Sequence, residues 1–117
     1  MATTSARSIV LGFTGDVTLA ETFAAAANAN SPAQVQILTL APGANTISVP
    51  TGGTAPTAVL IIPPSGNTQL MTLKGVTGDT GVPIHKTDPT NIALDSTCAS
   101  LVLNAAGTVT GLRLIWS

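Results

Sequence analysis

The sequence predicts an all-β protein, a single-domain antiparallel β-sandwich of about eight strands. Short runs rich in Val, Ile, Leu and Thr alternate with clusters of Gly, Pro, Asn and Ser along most of the chain. Their spacing is regular, as in sandwiches and small barrels. At 117 residues the chain can bury one real core but not two, and no linker or internal repeat divides it.

"MATTSAR", residues 1–7, is small and polar without pattern and reads as a flexible N-terminal arm, ahead of a sandwich domain over 8–117. "SIVLGF", at 8–13, reads as a strand. Arg7 before it faintly imitates a signal peptide, but Thr14, Gly15 and Asp16 end the apolar run. The next strand is placed at 16–26, but residues 19–30 are ambiguous: Leu19, Phe23 and Ala27 are four apart, as on a helix, while Val17, Leu19, Glu21 and Phe23 alternate, as in a strand. The strand is preferred because every neighbour is β, and Phe13 and Phe23 are expected in the core.

Further strands are expected at 34–41, 45–50, 57–63, 69–75, 82–86, 91–94, 100–104 and 108–116. Pro42-Gly43 reads as a tight turn, with proline presetting φ and glycine accepting a positive φ. "PPSGN", 63–67, reads as a loop, and "NAAG", 104–107, as the closure of a final hairpin.

In a two-layer sandwich each strand should bury one face, so apolar and polar residues should alternate. "TISV" at 46–49 obeys, with Ile47 and Val49 inward. "AVLII", "SLVL" and "GLRLIW" do not, because apolar residues occur on both of their faces. Leu60, Ile62, Val102, Arg113 and Ile115 are therefore the expected oligomer interface. Doubly apolar strands normally lie beneath helices, and with at most one short helix available the cover should be another subunit.

Composition points the same way. Only 8% of residues are charged, against roughly 25% in an average soluble protein. A monomer of this mass exposes on the order of 5,800 Å², or about 650 Å² for each charged side chain. Nineteen threonines and eight serines hydrate part of that area, but broad neutral stretches remain that suit packing against protein. Four scattered cations cannot follow a run of phosphates or hold an anionic bilayer, so neither nucleic acid nor membrane is an expected partner. The longest fully apolar run past the first strand, residues 58–62, is far below the ~20 residues of a spanning helix.

No chemistry stands out. Cys98 is the only cysteine, so no intrachain disulfide can form, and it reads as a small buried apolar residue. Lys74, Asp79, His85, Lys86 and Asp88 crowd into "KGVTGDTGVPIHKTD", residues 74–88, expected as the longest exposed connection, with a short edge strand between Pro83 and Pro89. The stretch lacks the ligand set of a zinc or calcium site. It also lacks the lysine and following helix of a phosphate loop. No nucleophile motif accompanies His85. The expectation is a non-enzyme with no metal, no cofactor and no catalytic residues. A ligand- or glycan-binding sandwich displayed on a larger assembly is the alternative, with Trp116 as its only candidate stacking platform.

The stretches "PAQVQILTLAPGANTISVP", "VLIIPPSGNTQLMTLKGVTGDTGVPIH" and "GTVTGLRLIW", within residues 33–116, resemble the small β-rich virion proteins of tailed bacteriophages: decoration, fibre-base or adaptor-like subunits. The likeness lies in Thr, Ala and Gly richness, the "LKGVTGDTG" phrase and a C-terminal strand. It implies a jelly-roll-like β-sandwich and a virion structural protein, made in the host cytoplasm, that decorates or joins parts of the capsid or tail. It further implies a symmetric homo-oligomer, a homotrimer first, with other virion proteins as partners.

Overall fold

The computed structural model describes the backbone of residues 3–5, 8–13, 19–24, 28–30 and 34, and residues 35–51 and 55–117 in full. In chain order the strands are β1 (Thr3–Ser5), β2 (Ser8–Phe13), β3 (Leu19–Ala24), β4 (Asn28–Asn30), β5 (Gln34–Leu40), β6 (Gly43–Ser48), β7 (Ala58–Ile62), β8 (Met71–Lys74), β9 (Val82–Ile84), β10 (Thr90–Ala93), β11 (Ser100–Ala105) and β12 (Val109–Trp116). No helix occurs among the described residues.

Eight of these strands build two antiparallel sheets of four, ordered β10-β7-β12-β5 and β6-β11-β8-β9. The pairing is nested. The first of the eight, β5, pairs with the last, β12; β6 pairs with β11, β7 with β10, and β8 with β9. The chain is thus a long antiparallel ribbon folded over so that β7 also meets β12 and β8 also meets β11. This is the jelly-roll form of the sandwich. Only β8 and β9 follow one another within one sheet; every other connection among the eight crosses from sheet to sheet.

That topology corrects the expected final hairpin. β11 and β12 lie in different sheets, so residues 106–108 form an arch between layers. A turn signal marks where the chain reverses, but not whether the returning strand pairs or crosses the core. The β5–β6 corner is a similar arch: Gly43 has φ +96° there, as Pro42-Gly43 implied. Asn45 clamps it, its Oδ1 accepting from Ala41 N–H at 3.0 Å and its Nδ2 donating to Ala41 O at 2.8 Å and to Leu103 O at 3.1 Å.

One core lies between the layers. β7 and β12 supply Val59, Ile61, Leu112, Leu114 and Trp116; β6, β8 and β11 supply Ile47, Met71, Leu101 and Leu103. Each set recurs at every second residue, because successive side chains of a strand point to opposite faces. An irregularity between Thr110 and Leu112 inserts Gly111 opposite β5 and restores the inward phase of Leu112, Leu114 and Trp116.

Residues 34–116 build the sandwich, within the expected span of 8–117. β2 and β3 pair with each other, from Ser8 opposite Ala24 to Phe13 opposite Leu19, and the ambiguous segment is strand at Leu19–Ala24. The side chains of Phe13 and Phe23 lie outside the described residues. Within the expected arm 1–7, Thr3–Ser5 pairs with Asn28–Asn30, and the remainder lies outside the described residues.

Candidate functional site

The outer face of the β10-β7-β12-β5 sheet carries two rows of aliphatic side chains. Register places Ile62, Arg113 and Ile37 side by side across β7, β12 and β5. One pleat further along, Leu60, Ile115 and Val35 form the second row, with Asn91 of β10 beyond Leu60. Leu60, Ile62 and Ile115 are half-buried, whereas Val35 and Ile37 keep 61% and 72% of their surface in water. Neighbouring strands stand about 4.8 Å apart, so these side chains form one contiguous patch. Arg113 rises through it, exposed, with no ion pair among the described residues.

Four of the five expected interface residues therefore share one surface. Val102 does not. It sits on β11 in the other sheet, between Thr46 and Lys74, and is buried at 3% exposure. Alternation put Val102 opposite Leu101 and Leu103, but whether that outward side is covered is decided by neighbours in space. Val35 and Ile37 were missed for the converse reason. In "QVQILTL" the face that carries Leu38 and Leu40 turns into the core, and Gln36 goes with it to Trp116, whose Nε1 donates to Gln36 Oε1 at 3.1 Å. With Gln36 turned inward, Val35 and Ile37 must point out.

The 74–88 crowding resolves into turn chemistry. Lys74 ends β8, half-buried, and β9 interrupts the stretch as an edge strand, so it is two connections and not one long loop. The Asp79 Oδ2 accepts from Val76 N–H at 3.0 Å, which closes the turn after β8. His85 Nδ1 accepts from Asp88 N–H at 2.8 Å and from Thr87 N–H at 3.2 Å. The same nitrogen lies 3.8 Å from Asp88 Oδ1. Accepting two backbone donors, Nδ1 is the hinge of this turn. Exposed Lys86 contributes its carbonyl, which accepts from Asn67 Nδ2 at 2.8 Å and ties two loops together.

A cleft of about 590 Å³ opens near the β8–β9 turn, lined by Leu73, Ile92, Leu94, Cys98 and Leu101, with Lys74 and Asp79 among its polar residues. Cys98 is half-buried there and not fully buried as expected, since it follows the exposed Asp95–Thr97 turn. Among the described residues no three His, Cys, Asp or Glu stand together as metal ligands. Trp116, the one candidate sugar platform, is wholly buried and offers no ring face to solvent.

Comparison of the chain with protein-family models, curated proteins and solved structures found no match.

Proposed function

We propose that this protein is a non-enzymatic structural subunit of a bacteriophage particle, a symmetric homo-oligomer that decorates or joins parts of the capsid or tail. The observation that carries the reading is the aliphatic outer face of the β10-β7-β12-β5 sheet, where Val35 and Ile37 stand beside Ile115, Leu60 and Ile62. Burying Val35 and Ile37 against a neighbour would contribute roughly 1.5–3 kcal/mol each, comparable in sum with the lower estimates of what association costs in lost freedom. The low charge density supports the same reading, since nine charged side chains in 117 residues leave much of the surface neutral. The jelly roll is frequent in viral coat proteins, but lectins and cupins share it, so the fold supports the reading without deciding it. The texture shared with small phage virion proteins supplies the particle as the setting.

The glycan-binding alternative loses its residue with Trp116 in the core. Light scattering on the purified chain tests the assembly reading. The expected mass exceeds the 11.6 kDa monomer, and Leu60→Asp with Ile115→Asp lowers it while the fold persists. A wild-type protein that stays monomeric at hundreds of micromolar would overturn it.

A further inference from the structure

The backbone phase of β5 says how a second copy joins. Ser117 N–H donates to Ala58 O at 3.0 Å, and Ala58 N–H donates to Ser117 O at 3.1 Å. Ala58 and Ser117 are thus a hydrogen-bonded pair, and such pairs alternate along an antiparallel ladder. Ile115 with Leu60 and Arg113 with Ile62 are the next bonded pairs toward β7, which leaves Leu112, Leu114 and Trp116 to bond β5 through Leu38, Gln36 and Gln34. Val35 and Ile37 therefore turn their N–H and C=O groups away from β12. On that side no strand pairs with β5 among the described residues.

The other sheet edges are blunted. β9 contains Pro83 and is three residues long, β10 is four residues long and follows Asp88-Pro89, and β6 presents only small or polar residues besides Ile47, whose side chain is buried. β5 is seven residues long, without charge or proline, and its two exposed aliphatics coincide with two of its three outward-turned backbone positions, Thr39 being the third. Natural edges normally carry a device against pairing, and this one carries none.

We propose that β5 is a strand-pairing edge for a second copy of this chain, joined antiparallel about a two-fold axis at Ile37 to make one continuous eight-stranded sheet. Ile37 then faces its own counterpart, and Val35 faces Thr39 of the second copy. Charge favours this geometry over stacking of the two faces. Stacking would bury Arg113 against aliphatic side chains, and the acids Asp79, Asp88 and Asp95 all lie on loops. Edge pairing holds the two Arg113 residues three strand spacings apart, about 14 Å, in water and beyond the Debye length of physiological salt. Such a contact is isologous and closes at two copies, so it replaces the expected trimer as the primary unit and leaves the doubled outer face for other proteins of the particle. The inference rests on the assembly reading above.

Amide hydrogen exchange and sedimentation on the full chain test it. The Gln36 and Leu38 amides should be protected at every concentration, and those of Val35 and Ile37 only where the protein is dimeric, exchanging at least about tenfold faster on dilution. Ile37→Pro removes one outward N–H at an edge position that accepts proline and should raise the dimer dissociation constant ~10-fold or more, whereas Ile37→Thr should retain pairing. Association undiminished by Ile37→Pro in a folded protein, or Val35 and Ile37 amides whose exchange ignores concentration, would overturn the edge. If Leu60→Asp with Ile115→Asp then dissociates that species, the assembly reading survives without the edge. A wild-type monomer throughout removes both.

Discussion

Gln36 and Trp116 meet inside the sandwich, the Trp116 Nε1 donating to Gln36 Oε1 at 3.1 Å across the β5–β12 ladder. This contact lets a large aromatic side chain be wholly buried near the end of the chain, because an indole N–H left without a partner there would cost its full desolvation. It lies on the inward face of β5, which also carries Leu38 and Leu40 into the core. Gln36→Ala should destabilise the fold by about 1–3 kcal/mol, read as a shift in urea midpoint at unchanged slope. A loss below ~0.5 kcal/mol would mean that Trp116 finds another acceptor.

Val102 and Ile115 separate buried from presented aliphatics. Both lie opposite core residues on their strands, but Val102 is buried within the chain and Ile115 only half-buried. Val102→Asp should cost about 2–4 kcal/mol, since it buries a carboxylate whose charged cross-strand neighbour is the half-buried Lys74. Ile115→Asp should cost roughly 1 kcal/mol. Equilibrium unfolding of the two variants side by side checks the order, and equal losses would refute the assignment of faces.

Gly81 holds the entry to β9. Its φ is +78°, and a Cβ there would come within 2.5 Å of the Leu73 carbonyl oxygen, a backbone atom that cannot swing aside. Gly81→Ala should cost more than about 1–2 kcal/mol, the left-handed penalty alone. Gly78→Ala, three residues earlier with nothing within 4 Å of its added methyl, should stay within about 0.5 kcal/mol of wild type. Thermal unfolding of the pair distinguishes them.

Two hydrogen bonds from Thr97 set the acidity of Asp95. The Thr97 hydroxyl donates to its Oδ1 at 2.7 Å and the Thr97 N–H at 2.9 Å, and these bonds hold its carboxyl below the ordinary value of 3.8. A carboxyl whose folded pKa is depressed adds stability above the unfolded value, and that stability is lost as pH falls through the folded one. The turn at 95–97 should therefore loosen only below pH 3.8, and Thr97→Ala should move the Asp95 titration up toward that value. Carboxyl chemical shifts followed by NMR check it, and an unmoved titration would show that the hydroxyl bond does not form in solution.

Strand positions were legible because much of the sandwich obeys period-two patterning bounded by proline and glycine, as at Thr46–Val49. The aliphatic outer face was legible in part. Leu60, Ile62, Arg113 and Ile115 stood out because "AVLII" and "GLRLIW" break alternation, which requires no knowledge of pairing. Val35 and Ile37 were hidden because Gln34 to Ile37 alternates as a strand with those two inward would, and Val102 was misassigned because cover on an outer face comes from residues distant in sequence. The charged crowding at 74–88 showed exposure, while its use in turns rested on hydrogen bonds invisible in the sequence.

The sequence by itself determined an all-β chain, its strands, its sparse charge and the existence of surplus apolar surface, since these follow from local residue type and periodicity. Tertiary structure alone decided that β5 closes on β12 across the whole domain, that Gln36 turns inward to Trp116, and that Val35 and Ile37 consequently meet Ile115 and Arg113 on one open face. Phase and partner are properties of pairing. A strand's own residues do not fix them until a second strand supplies the register.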